Sequence, residues 1–141
     1  MNVLAIDTSV GVSVAILRSN GELTQSQAVD HGMQGELTAE LISKVVIESG
    51  LELGDITDVV VGVGPGPFTG LRVGLVTASV FAHAREIPMH GICSLDAVAF
   101  DFAKPCVVVT DARRKELYWA RYEDKRVSEP QVSKPEDLLA Q

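Results

Sequence analysis

Hydrophobic and polar residues alternate along the first thirty positions in the manner of β-strands. Residues 12–17 place valine or isoleucine at every second position, and the apolar run 3–6 precedes them. Asn20-Gly21 then predicts a type I′ turn into a third strand over residues 22–29. The chain is therefore expected to open with an antiparallel meander.

The hydrophobic period changes to that of a helix in the middle of the chain. Residues 33–46 place apolar side chains on one helical face, and Gly50 is a plausible C-cap. A strand of the buried type follows at residues 58–63. A second helical period runs over residues 71–86, with Thr69 in a position to cap it. The predicted order over this part is β-β-β-α-β-α.

The remaining residues predict a second, smaller unit. Lys104-Pro105 is typical of a boundary, and a hairpin with a final helix is expected beyond it. A lone hairpin is marginally stable in water, so this unit is expected to be incomplete. The predicted elements are a strand over 89–93, a short helix through Phe102 that Ser94 would cap, strands over 106–110 and 117–122, and a helix that begins at Pro135.

Composition limits the classes of protein and of partner. The chain has 141 residues, a hydrophobic fraction of 46% and a mean hydropathy of +0.20, which excludes a disordered protein. Its formal charge of -7 and isoelectric point near 4.8 disfavour direct, tight binding of tRNA or DNA by this chain alone. The first residues lack a secretory leader pattern, and no apolar run is long enough to span a membrane. A cytoplasmic protein without a membrane partner is expected.

Residues 62–74 are the most informative segment, because glycines and prolines alternate between a strand and a helix. Glycine permits a positive φ and close approach of the backbone, whereas proline fixes φ near −65°. The N-terminus of the following helix would accept an anion such as a carboxylate or a phosphate. No Lys-Ser/Thr pair follows the glycines, so the segment is not a P-loop. A tight turn with no ligand explains the spacing equally well.

Two other patterns each allow a functional and a structural interpretation. Asp7-Thr8-Ser9 follows the first strand, where an acid and two hydroxyls would form a phosphate loop or simply terminate the strand. The second pattern is a stripe of small residues at every fourth position of the second helix, which would pack inside the protein or form a subunit interface. The members of this stripe are Gly70, Gly74, Ala78 and Ala82.

The residue types that most often carry catalysis are scattered. His31, His83 and His90 fall on a predicted loop, helix and strand without the spacing of metal ligands. Cys93 and Cys106 lie in apolar surroundings and are expected to be reduced core thiols. No serine or cysteine has a recognisable neighbouring base, so the sequence predicts neither a metal site nor a catalytic nucleophile.

Four segments carry a family resemblance: Ile6-Asp7-Thr8-Ser9, Gly64-Pro65-Gly66-Pro67-Phe68-Thr69-Gly70-Leu71-Arg72-Val73-Gly74, Ser94-Leu95-Asp96-Ala97 and Asp111-Ala112-Arg113. With them the chain resembles the TsaB (YeaZ) family, the non-catalytic partner subunits of bacterial tRNA threonylcarbamoyladenosine synthesis. The resemblance implies an α/β, actin-like ASKHA fold of the ribonuclease H-like type. Residues 1–105 would form the first subdomain, and residues 106–141 would begin an incomplete second one. Pro67 stands where the family usually has serine.

The resemblance also implies a set of partners. The chain would dimerise with itself or pair with a TsaD-type catalytic subunit, and would work with a TsaE-type ATPase. The catalytic partner would hold the metal and transfer the threonylcarbamoyl group, so this chain would meet tRNA only through the complex. No cofactor is firmly implied, although ATP or ADP at a subunit interface is compatible with the family.

The resemblance places the expected site residues in the loop and on two helices. A partner or a nucleotide would lie beside Gly64, Pro65, Gly66, Pro67, Phe68, Thr69, Gly70 and Arg72. The subunit interface would use Leu37, Leu41, Gly70, Gly74, Ala78 and Ala82. One alternative is an autonomous actin-like small-molecule kinase or ATPase, which would bind phosphates with residues 7–9 and the loop. A metallopeptidase is a third alternative, and it would need ligands and a base that the sequence does not show.

Overall fold

A computed structural model describes residues 1–29 and 33–140 of the chain. Its larger sheet consists of β1 (Val3–Asp7), β2 (Val12–Leu17), β3 (Leu23–Ala28), β4 (Asp58–Gly62) and β5 (Met89–Ile92). These strands lie in the order β3-β2-β1-β4-β5. The first three form the predicted antiparallel meander, whereas β4 and β5 extend the sheet with parallel pairs.

Two helices cover one face of this sheet. α1 (Gln34–Glu48) packs on β2 and β3, whereas α2 (Phe68–Arg85) packs on β4 and β1 and lies beside α1. Alternate strand positions face these helices, because successive side chains of a strand point to opposite faces of the sheet. The core between the layers includes Leu4, Ile6, Val12, Val14, Ile16, Val59 and Val61 from the sheet and Leu41, Ile42, Val45, Val46, Ala78 and Ala82 from the helices.

The opposite face of the five-stranded sheet is largely open. Ala5 lies there between Ala15 of β2 and Val60 of β4. A cavity of about 430 Å³ extends over these three residues. In the part of the chain that the structure describes, none of the helices is long and apolar enough to cross a membrane.

A second, antiparallel sheet follows, built from β6 (Cys106–Arg113), β7 (Glu116–Tyr122) and β8 (Gln131–Ser133) in that order. The helix α3 (Ser94–Phe100) precedes it and packs Leu95 and Ala99 on its inner face. The chain then continues into α4 (Pro135–Leu139). The division into subdomains at residue 105 stays a prediction.

Three local predictions from the sequence are wrong. The backbone φ is positive at Gly21 but not at Asn20, and the Gly21 N–H donates to the Arg18 carbonyl, so the first turn is not of type I′. Pro67, not Thr69, occupies the N-cap position of α2, and no side chain caps that helix. Ser94 is likewise the first residue of α3 rather than its N-cap. Its hydroxyl is engaged by other partners.

Candidate functional site

The glycine-proline loop leaves the sheet between β4 and α2 along one defined path. The Val63 N–H donates to the Ile92 carbonyl at 2.8 Å, so the first loop residue is still hydrogen-bonded to the end of β5. Gly64 follows with a φ of +89°, a conformation that favours glycine. Its carbonyl accepts the Ser94 N–H at 2.8 Å. A side chain on Gly64 would also displace the end of Leu71, whose Cδ1 atom would be 2.8 Å from an added Cβ atom.

The three polar residues after β1 are hydrogen-bonded within the protein. Ser9 donates to the Asp7 carboxylate through its N–H at 2.7 Å and through its hydroxyl at 2.5 Å. The Thr8 hydroxyl donates to the Gly70 carbonyl at 2.8 Å and accepts the Gly74 N–H at 3.1 Å. Thr8 is 1% exposed and Ser9 is 6% exposed. A phosphate loop at residues 7–9 stays a prediction, but these contacts favour the structural interpretation.

The small-residue stripe of α2 faces the inside of the protein. All four of its members are buried. A Cβ atom on Gly74 would lie 2.4 Å from the Thr8 hydroxyl oxygen, and one on Gly70 would lie 3.0 Å from the Thr8 carbonyl oxygen. Ala78 and Ala82 belong to the core between α1, α2 and the sheet. Their burial favours packing inside this chain, and an interface that uses them stays a prediction.

The two leucines expected at the interface also point inward. Leu41 is buried and belongs to the same core as the stripe. Leu37 is half-buried and packs against that core. A subunit interface that uses α1 and α2 stays a prediction, but its contacts would have to come from other side chains.

An exposed apolar stripe on the outer side of α2 was missed by the sequence prediction. Phe68, Val76 and Val80 are 74%, 58% and 62% exposed, and Arg72 fills the remaining position of their four-residue spacing. We call these four residues the outer α2 stripe. The Arg72 guanidinium lies 5.3 Å from the centroid of the Phe68 ring, a distance typical of a cation–π contact. The four-residue spacing, together with the lack of Asp and Glu over all 18 residues of α2, would have identified this face.

The predicted loop residues divide by exposure. Phe68, Thr69 and Arg72 are exposed and lie where a partner could contact them. Gly64 and Gly70 are buried against the protein's own backbone and side chains. The half-buried residues between them are Pro65, Gly66 and Pro67.

A cleft of about 710 Å³ separates the loop from the second sheet, with residues 63–65 among its lining on one side and Arg126 on the other. Asp96 of α3 also lines the cleft and accepts the Tyr122 hydroxyl at 2.7 Å. Burial and this hydrogen bond raise the pKa of Tyr122 above its ordinary value. The Arg126 guanidinium lies 3.7 Å from the same carboxylate. This cluster fixes α3 to the second sheet.

Metal-ligand residues do not converge in the described part of the chain. Among residues 1–29 and 33–140, no group of three His, Cys, Asp or Glu side chains could hold a metal ion. His83 lies on α2 and His90 on β5, and His31 falls outside the described residues. Cys93 and Cys106 are free and half-buried, and both pack against the core of the second sheet rather than within it.

Comparisons with known proteins give a consistent family. The model for TsaD, described as tRNA N6-adenosine threonylcarbamoyltransferase, matches residues 35–141. The uncharacterised protein ML0378 of Mycobacterium leprae (strain TN) is 43% identical over 142 residues, which cover 96% of this chain and 40% of that protein. The tRNA threonylcarbamoyladenosine biosynthesis protein TsaB of Escherichia coli (strain K12) is 30% identical over 128 residues, which cover 87% of this chain and 55% of TsaB.

A solved structure agrees with these sequence matches. YeaZ from Pseudomonas aeruginosa superposes with a TM-score of 0.82 at 26% identity, over 95% of this chain and 68% of YeaZ. The predicted actin-like ASKHA fold is thereby confirmed. The chain spans about half the length of the curated relatives it matches. Because the family model covers most of the chain, including the glycine-proline loop and α2, the protein belongs to the TsaD family and, within it, to the TsaB (YeaZ) group.

Proposed function

We propose that this chain is a non-catalytic subunit in the synthesis of threonylcarbamoyladenosine in tRNA. In this proposal it binds a TsaD-type catalytic subunit through the outer α2 stripe and supports the work of a TsaE-type ATPase. It would meet tRNA only through the assembly, in the cytoplasm. The names of the TsaB relatives and the match to the TsaD model support the pathway.

The observation that carries the proposal is the outer surface of α2. A surface helix normally turns its apolar residues to the core and its polar residues to solvent. The inner side of α2 packs into the core, yet its outer side exposes Phe68, Val76 and Val80 along one line of the helix. Exposed apolar patches of this kind mark sites of protein association. A second protein surface would complete the burial of this helix.

The charge of the stripe indicates the chemistry of its partner. The chain as a whole carries a formal charge of -7, but α2 has two arginines and no acidic residue. Arg72 stands between Phe68 and Val76 in the stripe, with its guanidinium over the ring of Phe68. An apolar partner surface with an acidic side chain opposite Arg72 would complement it, because arginine anchors are common in the buried centres of interfaces.

The glycine-proline loop determines where the stripe begins. Pro67 precedes α2 directly, and Phe68 is the first residue of the helix. The Thr8 hydroxyl bonds to Gly70 and Gly74 and holds the first turns of α2 on the end of β1. In this proposal the loop and the residues after β1 therefore fix the position of the association surface.

The proposal is tested by size-exclusion chromatography with light scattering on this chain mixed with the TsaD-type subunit of the same organism. The wild-type chain should form a mixed complex. Val76→Glu and Val80→Glu should weaken it by at least about tenfold, because each buries a charge at a hydrophobic contact. Their unfolding midpoints should stay close to that of the wild type, because both positions are exposed.

Leu139→Glu is the matched control. Leu139 is an exposed apolar residue of α4, so this change adds the same charge away from the stripe. A complex weakened equally by all three variants would show a general charge effect and would contradict the proposed surface. A wild-type chain that does not bind the catalytic subunit but binds ATP in a titration would favour the autonomous kinase or ATPase instead.

A further inference from the structure

The Asp7 carboxylate joins two serines that are far apart in the sequence. Its Oδ1 atom accepts the N–H and the hydroxyl of Ser9, at 2.7 Å and 2.5 Å. Its Oδ2 atom accepts the hydroxyl of Ser94 at 2.6 Å. One side chain at the end of β1 therefore connects the segment after β1 to the first residue of α3.

Each of these serines supports one glycine of the glycine-proline loop. The Ser94 hydroxyl accepts the Gly64 N–H at 3.2 Å, and the Ser94 N–H donates to the Gly64 carbonyl at 2.8 Å. Ser9 lies against Gly66, where an added Cβ atom would come within 2.9 Å of the Ser9 Cα atom. The loop is thus hydrogen-bonded to Ser94 at Gly64 and lies against Ser9 at Gly66, and both serines are bonded to Asp7.

We propose that Asp7 is a positioning residue for the association surface: it fixes the loop so that Phe68 and Arg72 are presented at the start of the outer α2 stripe. The inference rests on the proposed function, because it assigns Asp7 a role in partner binding. The carboxylate makes no direct contact with the partner in this scheme. It acts through Ser9 and Ser94, whose bonds set the path of the loop.

The geometry explains why this position needs an aspartate. Three donors converge on the side chain, and an ionised carboxylate is an acceptor on both oxygens. In asparagine an NH₂ donor replaces one oxygen, so on that side the Ser94 hydroxyl would lose the acceptor for its proton and its bond to a carboxylate. The carboxylate also packs directly on Gly62, where an added Cβ atom would be 1.8 Å from Oδ2, so the network needs glycine at that position.

The test compares Asp7→Asn and Ser94→Ala with the wild type in two measurements. The first is amide hydrogen exchange by NMR in the chain alone. The Gly64 and Ser94 amides should exchange at least about tenfold faster in both variants, because the Gly64 N–H donates to the Ser94 hydroxyl and the Ser94 N–H donates to the loop residue that this bond holds in place. The Val59 and Val61 amides, which lie in β4 within the core, should keep their protection.

The second measurement is the Kd for the TsaD-type subunit. Both variants should bind at least about tenfold more weakly than the wild type. Ser94→Thr keeps the hydroxyl and should restore binding, which a loss of fold would not explain. Asp124→Asn is the charge-matched control, since Asp124 is an exposed residue after β7.

The outcomes separate this inference from the proposed function. If Asp7→Asn and Ser94→Ala bind the TsaD-type subunit as tightly as the wild type does, the role of Asp7 is overturned and the proposed function stands. Unchanged exchange at Gly64 and Ser94 would overturn it as well. A wild-type chain that does not bind the TsaD-type subunit would overturn the proposed function, and the role of Asp7 in binding with it. If Asp7→Asn does not fold, Ser94→Ala and its threonine rescue decide the matter.

Discussion

Gly74→Ala should destabilise the fold even though it replaces glycine by a better helix former. Gly74 lies inside α2, where its backbone N–H donates to the Thr8 hydroxyl at 3.1 Å. The new Cβ atom would lie 2.4 Å from that hydroxyl oxygen, well inside van der Waals contact. Thr8 is buried and also donates to the Gly70 carbonyl, so it cannot move without breaking a bond.

The magnitude follows from three terms. Overpacking of a filled site costs about 1–3 kcal/mol. A displaced Thr8 hydroxyl that loses its partners while buried adds about 1–3 kcal/mol. The higher helix propensity of alanine returns about 1 kcal/mol. The free energy of unfolding should therefore fall by about 3 kcal/mol.

Urea unfolding followed by circular dichroism measures this change. Gly35→Ala is the matched control, because Gly35 also lies in a helix but has no atom within 4 Å of an added Cβ. It should leave stability unchanged or raise it by up to about 1 kcal/mol. In a Thr8→Ala background the clash is gone, so Gly74→Ala should then cost little. Equal effects of Gly74→Ala in both backgrounds, or an effect as small as that of Gly35→Ala, would refute the reasoning.

Two further predictions concern the second sheet. Tyr122 has a pKa raised by burial and by its bond to Asp96, so it contributes stability that is fully present below its unfolded pKa of about 10 and is lost as the pH rises beyond it. Tyr122→Phe should remove this part of the pH dependence of the unfolding free energy, and an unchanged slope would contradict the assignment. Ser133→Ala leaves the buried Trp119 Nε1–H without its acceptor at 2.9 Å and should cost about 1–3 kcal/mol, measured by urea unfolding with the fluorescence of this single tryptophan. A stability equal to that of the wild type would show that water replaces the serine.

The order of the main elements could be predicted from the sequence, because hydrophobic period and turn residues act locally. The strand β8 could not, because Gln131–Ser133 has a single apolar residue and is a strand only through its pairing with β7. The first turn was predicted from Asn20-Gly21 alone, and the pairing of the strands placed Gly21 one position later in the turn than expected. In both β8 and the first turn, hydrogen bonds to another part of the chain determined the local structure.

The candidate site shows the same limit. The small residues of α2 allowed packing inside the protein or a subunit contact, and in the structure Thr8, directly after β1, lies against two of them. The exposed residues of α2 repeat at every fourth position just as the small ones do, so the outer α2 stripe could have been listed from the sequence as a second candidate face. The network around Asp7 was also beyond prediction, since Ser94 comes to that carboxylate only through the fold.

The most direct test of the central claim is hydrogen exchange with mass spectrometry on this chain, alone and bound to the TsaD-type subunit. The account predicts new protection over residues 68–80, where the outer α2 stripe lies, and no change over residues 106–133 of the second sheet. Protection confined to the second sheet or to the open face of the larger sheet, with residues 68–80 unchanged, would contradict it.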